Sequence, residues 1–247
     1  MDMNNIINTT DINDKISFFY QCYKQPNATD YVLSTVRKNF PYNKIYLIND
    51  NGLDMKNIAD KYNCYYCYKN ENLCIKGNTK NFTNWTPEIC FEWLNRVLDA
   101  VIDCNTEYII NLEDDVICYN KIKQNPKGDI NGVYDCPQAP NTFNENFINY
   151  LNNKNIYPKY NYYGACGGFI MNTKIFISIM KKTSIELLKE LYNLDNRIGT
   201  TSDCTITALF LYNGYNYYPW DDLKSKWDER DIKEYAFYHP DKSHYIN

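Results

Sequence analysis

The stretch Tyr108-Ile-Ile-Asn-Leu-Glu-Asp-Asp115 joins an apolar, β-branched run to three consecutive carboxylates. The apolar part is typical of a buried strand, and the carboxylates follow where that strand would end. Open α/β sheets bind ligands at the carboxyl ends of their strands. Clustered negative charge there is costly unless a cation neutralises it. Because Mg²⁺ prefers oxygen ligands and often bridges carboxylates to phosphates, the stretch predicts a metal and phosphate site.

Strand-like and helix-like segments alternate on the amino-terminal side of this stretch. We expect strands at 15–23, 44–49 and 64–68, and helices at about 29–40 and 53–62. Thr86-Pro87-Glu88 has a capping residue followed by proline, which is typical of a helix start. The alternation predicts an α/β fold in which helices cover a mostly parallel sheet.

The pattern is less regular after Asp115. The segment 121–141 is rich in proline and glycine, so we expect a long loop that faces a substrate. A short strand is predicted at the end of the glycine-rich stretch 162–171, and helices at 144–152, 183–192 and 202–212. Since no repeat or linker divides the sequence, we expect a single domain over 1–247.

Composition and charge argue against two classes of function. The chain has 247 residues and a formal net charge of −4, which gives no broad basic surface for nucleic acid. No apolar run reaches the roughly 18 to 20 residues needed to span a bilayer, and residues 1–15 are polar rather than signal-like. The sequence therefore predicts a soluble, cytoplasmic protein with no membrane span and no nucleic-acid partner.

The ten cysteines are scattered through the chain, from Cys22 to Cys204. A chain of this size does not need a disulfide framework, so buried free thiols are expected. Cys64 and Cys67 form a CxxC with Cys74 nearby, but no second pair completes a zinc site. Zinc is the less favoured alternative.

Six short motifs follow one another along the chain: Gln21-Cys-Tyr-Lys-Gln-Pro26, Ile48-Asn-Asp-Asn-Gly52, Asn95-Arg96, the stretch from Glu107 to Asp115, Gly164-Ala-Cys-Gly-Gly168, and Ser202-Asp203. In order and spacing they resemble nucleotide-sugar-dependent glycosyltransferases of the GT-A fold, near the large family 2 type. The resemblance extends over most of the chain. It implies a Rossmann-like central sheet with a small antiparallel element near the site. It also implies a half that binds the sugar donor, about 15–118, and an acceptor and catalytic half, about 119–247.

The resemblance implies a Mn²⁺ or Mg²⁺ site on an acidic motif of the D-x-D kind, here the variant Glu113-Asp114-Asp115. Asp115 is the expected direct ligand. Glu113 and Asp114 are expected to bind the nucleotide, and Glu113 could act through a water molecule or contact the ribose of the donor. His239 is the expected carboxyl-terminal ligand, and His244 is the alternative. Lys242 is expected on the diphosphate. A solvated acidic turn and an ordinary basic tail are the alternatives for these two segments.

The same resemblance assigns the rest of the nucleotide-sugar site. Tyr23 is expected to pack against the base, and Asp50 to accept a hydrogen bond from a uracil N–H or a ribose hydroxyl. Arg96 is expected to bind the sugar donor, and the backbone of Gly167 and Gly168 to approach the sugar. Each residue also has an ordinary structural interpretation, as a turn residue, a surface arginine or a tight strand entry.

Asp203 falls in the region where inverting members of this fold carry their catalytic base. As a carboxylate it could take the proton of an acceptor hydroxyl. The alternative is an aspartate that complements the dipole of a helix N-terminus. Trp220, Asp221 and Asp222 are tentative acceptor residues, because an aromatic face and carboxylates suit sugars. A loop anchored by a buried tryptophan is the alternative for this segment.

These residues predict a metal-dependent glycosyltransferase that moves a sugar from a nucleotide donor, with UDP favoured, to a glycan or other hydroxyl acceptor. One alternative is a sugar-phosphate nucleotidyltransferase, although no glycine-rich phosphate loop lies near the first strand. A second alternative is a non-catalytic carbohydrate-binding protein that uses the abundant tyrosines and tryptophans. The sequence specifies neither the sugar, the linkage nor the oligomeric state.

Overall fold

A computed structural model describes residues 11–73, 85–133, 142–164, 167–225 and 234–240. Its strands are β1 (Ile16–Cys22), β2 (Ile45–Asp50), β3 (Tyr65–Lys69), β4 (Tyr108–Leu112), β5 (Ile117–Cys118), β6 (Ile130–Gly132), β7 (Gly168–Asn172), β8 (Tyr217–Pro219), β9 (Leu223–Ser225) and β10 (Phe237–His239). Its helices are α1 (Pro26–Asn39), α2 (Lys56–Lys61), α3 (Pro87–Cys104), α4 (Glu145–Asn153), α5 (Thr173–Met180), α6 (Ile185–Leu194) and α7 (Ser202–Tyr212).

Within these residues, seven strands form one sheet in the order β3-β2-β1-β4-β7-β6-β8. The first four strands of this order are parallel, β7 is antiparallel to both β4 and β6, and β8 is parallel to β6. A second, three-stranded sheet has the order β5-β10-β9, with β5 antiparallel to β10. The α/β class, the mostly parallel sheet and the small antiparallel element predicted from the sequence are confirmed.

Alternating side chains of the central strands divide the core between the two faces of the main sheet. In β1, Phe19 packs in one cluster, whereas Phe18 and Tyr20 pack in the other. In β4, Ile109 and Ile110 divide in the same way. Successive residues of a strand point to opposite faces, so a strand buried on both sides is apolar over most of its length. This burial on both faces fixes the register of β1 and β4. It therefore also fixes where their carboxyl ends lie at the edge of the sheet.

The observed elements differ from the predicted ones at several places, and the short strands β5, β8, β9 and β10 were not predicted. Helix α1 begins at Pro26 rather than near residue 29, because proline is well tolerated in the first turn of a helix. Strand β6 lies inside the segment 121–141, which was expected to be loop throughout. Helix α5 was not predicted. Its cap is Asn172, whose Oδ1 accepts a hydrogen bond from the Ile175 N–H at 3.1 Å.

Two expectations from composition can be compared with the described residues. The cysteines among them are free thiols, and most are buried, as expected; they are Cys22, Cys64, Cys67, Cys90, Cys104, Cys118 and Cys204. None of the described helices combines the length and apolar character needed to cross a membrane.

Candidate functional site

Two carboxylates and an imidazole meet beyond the carboxyl end of β4. Ligand atoms of Glu113, Asp115 and His239 all lie within 4.8 Å of one another. His239 Nε2 is 3.2 Å from Asp115 Oδ1 and 3.4 Å from Glu113 Oε2. Asp115 is only 5% exposed, and His239 is 9% exposed. In the part of the chain that the structure describes, this is the only grouping of metal-ligating side chains.

Strand pairing brings His239 to this position. A turn closed by the Val116 N–H to Glu113 carbonyl bond follows β4 and leads directly into β5. Strand β10 pairs with β5 so that Tyr238 lies opposite Ile117. Because Ile117 is two residues from Asp115, this register places His239 beside the carboxylates.

The chemistry of the three side chains fits a divalent cation. Carboxylate oxygens suit Mg²⁺ and Mn²⁺, and an imidazole nitrogen suits transition metals, so the mixed set favours Mn²⁺ over Mg²⁺. The carboxylates of Glu113 and Asp115 also lie close to a third carboxyl group, that of Asp203. Negative charges on these groups would repel one another without a cation.

Asp203 lies in the first turn of α7, close to the ligand group. Burial, with a smaller contribution from the negative charge of Glu113, raises the pKa of the Asp203 carboxyl to about 7, whereas a hydrogen bond from Ser202 and the nearby His239 oppose the rise. Asp203 is therefore close enough to Glu113 and His239 for their charges to act on it. A carboxylate with a pKa near neutrality is well suited to accept a proton.

The helix that carries Asp203 is firmly anchored. The residue that precedes it, Thr201, donates both its N–H and its Oγ1–H to the Arg197 carbonyl, at 3.0 and 3.1 Å. Beyond Asp203, α7 is buried from Cys204 to Leu211. The position of Asp203 is thus set by the core rather than by the site itself.

Two tyrosines that sequence reasoning did not single out lie near Asp203. Burial raises the pKa of Tyr163 to about 12, and the charge of Asp203 is among the smaller causes. Burial also raises the pKa of Tyr217, again with a contribution from Asp203, and the Tyr217 hydroxyl donates to the Gly132 carbonyl at 2.8 Å. In a sequence with 25 tyrosines, no local pattern distinguishes these two.

The two glycines of the predicted pair have different surroundings. A Cβ on Gly167 would lie 2.8 Å from His239 Cβ, and φ at Gly167 is +110°. A Cβ on Gly168 would lie 2.0 Å from the Asn111 carbonyl oxygen, because Gly168 pairs with Leu112 at the end of β4. Both positions therefore require glycine for packing reasons. Contact of either backbone with a sugar stays a prediction.

Asp50 and Arg96, which we predicted to contact the nucleotide, contact each other. Arg96 Nη1 donates to Asp50 Oδ1 at 2.5 Å, and the two side chains are 4% and 3% exposed. Asp50 Oδ1 also accepts from the Leu73 N–H, and Arg96 Nη2 donates to the Glu71 carbonyl. The pair thus holds the segment that follows β3 over the end of β2.

Tyr23 and Asp114 lie at the same edge of the sheet. Tyr23 is half-buried just beyond β1, and its carbonyl accepts from the Leu53 N–H at 2.9 Å. Asp114 is half-buried and lines a small cavity together with Cys22, the last residue of β1. Both residues are therefore near the carboxyl ends of the strands, where the sequence placed them.

Of the three tentative acceptor residues, Trp220 and Asp222 are buried and contact the second sheet at Phe237. Trp220 is 6% exposed, and its ring lies 5.4 Å from that of Phe237. The buried Asp222 accepts from the Lys123 N–H at 3.2 Å. Asp221 is exposed and pairs with Lys127 at 2.5 Å. An acceptor role for these residues stays a prediction.

Lys242 and His244 lie outside the described residues, so the geometry provides no comparison between His244 and His239.

Two solved structures with the same architecture, LgtC and TarS, are GT-A-type glycosyltransferases. The galactosyltransferase LgtC, solved with donor and acceptor sugar analogues, matches with a TM-score of 0.53 and 10% identity, over 91% of this chain and 86% of LgtC. TarS from S. aureus matches with a TM-score of 0.51 and 12% identity, over 92% of this chain and 36% of TarS. No family model matches the sequence, and no curated protein matches it significantly. At these identities the likeness establishes the GT-A fold.

Proposed function

We propose that the protein is a metal-dependent glycosyltransferase that moves a sugar from a nucleotide donor to a hydroxyl acceptor. The observation that carries the proposal is that a possible metal site and a possible proton acceptor lie together at one edge of the main sheet. A ligand group formed by Glu113, Asp115 and His239 lies beside a carboxyl, Asp203, whose pKa is raised to about 7. A cation site alone would suit many phosphate reactions, whereas a proton acceptor beside it suits group transfer to a hydroxyl.

Asp115, His239 and Glu113 would hold Mn²⁺ or Mg²⁺, and the cation would supply positive charge to the diphosphate of the leaving nucleotide. Tyr23 and Asp114, near the ends of β1 and β4, would contact the nucleotide in the proposed donor-binding half, about 15–118. UDP is the favoured nucleotide because of the sequence resemblance. The likeness to LgtC, which was solved with sugar-donor and acceptor analogues, supports a ligand pair of this kind.

Asp50 and Arg96 would contribute to this half of the site indirectly, through the ion pair that they form with each other. Their ion pair binds the Leu73 N–H and the Glu71 carbonyl. The pair would therefore shape the nucleotide side by holding the segment after β3 in place. Lys242 remains our proposed partner of the diphosphate, on the resemblance alone.

Asp203 would act as the catalytic base. Its carboxylate would take the proton of the acceptor hydroxyl as the hydroxyl oxygen bonds to the anomeric carbon, and the bond from that carbon to the diphosphate oxygen would break. The bonding electrons leave with the nucleoside diphosphate. Attack on the face opposite the leaving group inverts the anomeric configuration, so we propose an inverting enzyme. Gly167 and Gly168 would lie along the sugar, and Asp221 is the most exposed of the proposed acceptor residues.

A panel of nucleotide sugars tests this function. The protein is incubated with each compound in Mn²⁺ and, separately, in excess chelator, and release of the nucleoside diphosphate is measured with and without glycan acceptors. We expect release from one class of nucleotide sugar, only with the metal, and faster with an acceptor. Binding of glycans without nucleotide release from any compound would instead indicate a carbohydrate-binding protein. Release of pyrophosphate from a nucleoside triphosphate and a sugar phosphate would indicate a nucleotidyltransferase.

A further inference from the structure

Gly167 connects two members of the ligand group, Glu113 and His239, which come from distant parts of the chain. Its N–H donates to Glu113 Oε1 at 3.2 Å, and its carbonyl accepts from the Glu113 N–H at 3.1 Å. The side chain of Glu113 is therefore oriented by the backbone of Gly167. The remaining carboxylate oxygen of Glu113, Oε2, is the one that lies 3.4 Å from His239 Nε2.

His239 packs directly against the same glycine. A Cβ built on Gly167 would lie 2.8 Å from His239 Cβ, 3.0 Å from Cγ and 3.3 Å from Nδ1. Contacts under 3.0 Å are essentially absent between real Cβ atoms and their neighbours, so one of the two residues would have to move. Rotation of the His239 ring does not move its Cβ, and β10 is held by β5 and β9 on its two sides. A shift of the Gly167 backbone, or of the β10 backbone that carries His239, is therefore the available response.

We infer that Gly167 is a positioning residue for the metal site. Its missing side chain gives His239 room to reach Asp115, and its N–H fixes the carboxylate of Glu113. The two effects arise from one backbone conformation, with φ of +110°. A change at this residue should therefore disturb two ligands at once, although Gly167 itself has no ligating atom in the group. This inference rests on the proposed metal site, and it adds a residue on which that site depends.

Gly167→Ala tests the inference, and Gly214→Ala is the matched control. Gly214 also has a positive φ, +80°, but a Cβ there would meet nothing within 4 Å. Alanine at Gly214 therefore imposes the backbone strain of a left-handed conformation without a steric contact. Mn²⁺ is titrated into each protein, and the free ion is followed by electron paramagnetic resonance. Circular dichroism of the metal-free proteins checks that both variants are folded.

We expect Gly167→Ala to weaken Mn²⁺ binding at least tenfold, and Gly214→Ala to leave it within twofold of wild type. Wild-type affinity in Gly167→Ala would overturn the positioning role while leaving the metal site intact. Absence of Mn²⁺ binding in the wild-type protein would overturn the metal site, and the role of Gly167 with it. The two failures are thus distinguishable.

A measurement on the unsubstituted protein keeps the inference testable if Gly167→Ala does not fold. The hydrogen bond from the Gly167 N–H to Glu113 should open less often when a cation holds that carboxylate in place. We expect hydrogen exchange of the Gly167 amide, followed by NMR, to slow on addition of diamagnetic Mg²⁺, while exchange of the Gly214 amide does not change. An unchanged exchange rate at Gly167 under saturating Mg²⁺ would contradict the inference.

Discussion

Arg96 Nη1 lies 2.5 Å from Asp50 Oδ1, and the ion pair that they form is almost completely shielded from solvent. Removing one partner of a buried pair leaves an uncompensated charge, which typically costs about 3 to 5 kcal/mol. We therefore expect Arg96→Met to lower the free energy of unfolding by about that amount in urea titrations. The double variant Asp50→Leu with Arg96→Met should lie closer to wild type, because neither charge remains.

The surface pair Lys56 and Asp60 provides the control, since both side chains are more than half exposed. Asp60→Asn should change the free energy of unfolding little. If Arg96→Met were as mild as Asp60→Asn, the pair would not hold the segment after β3 as we describe.

The pH dependence of sugar transfer should follow the ionisation of Asp203. The raised pKa, about 7, means that the carboxyl is protonated and inactive as a base below neutrality. We expect the rate to rise as the pH increases through this region, and a bound cation would move the inflection to lower pH by favouring the charged form. The measurement is the rate at subsaturating substrate between pH 5 and 8. A rate that falls over this range would contradict Asp203 as the base.

Asp203→Asn should separate catalysis from stability. Loss of a general base typically costs about 10²- to 10⁴-fold in rate, whereas binding of the nucleotide should be nearly unchanged. A carboxyl with a raised pKa contributes stability that is fully present below its unfolded value of 3.8 and is lost as the pH rises through about 7. Relative to wild type, Asp203→Asn should therefore be more stable at pH 8 than at pH 4.

Chemical denaturation of both proteins at the two pH values measures this difference, and activity is measured on the same samples. Retained turnover in Asp203→Asn would remove this residue from the role of base. An unchanged stability difference between pH 4 and pH 8 would show that burial does not perturb its ionisation.

The sequence contained enough information to predict the main sheet and the acidic end of β4. Strands β1 and β4 are buried on both faces over most of their length and are mostly apolar, apart from Ser17, Gln21 and Asn111, and this is visible in a linear pattern. The start of α3 was also predictable, because Thr86 caps it with a hydrogen bond from the Ile89 N–H and Pro87 occupies its first turn. These signals are local in sequence.

Features that depend on distant pairing could not be predicted from the residues alone. Strand β10 has only three residues, too few to show a period, and its register with β5 places His239. The contact between Asp50 and Arg96 depends on how α3 packs over the end of β2, which no spacing rule gives. Likewise, Trp220 looked suitable for stacking on a sugar, but packing against Phe237 buries its ring. The resemblance supplied His239 as a candidate, and the geometry brings it to the carboxylates.

Binding of UDP in the presence and absence of Mn²⁺, measured by calorimetry, tests the proposed site most directly. The proteins to compare are wild type, Asp115→Asn and the surface control Asp60→Asn, each checked for folding. We expect wild type and Asp60→Asn to bind UDP only with Mn²⁺. Removal of a residue that only supports a metal ligand typically lowers metal affinity roughly 10- to 100-fold. Because Asp115 is a proposed direct ligand, we expect Asp115→Asn to weaken Mn²⁺-dependent binding of UDP by more than that. UDP binding that is equally tight without Mn²⁺, or unchanged in Asp115→Asn, would contradict a metal-held nucleotide at this site.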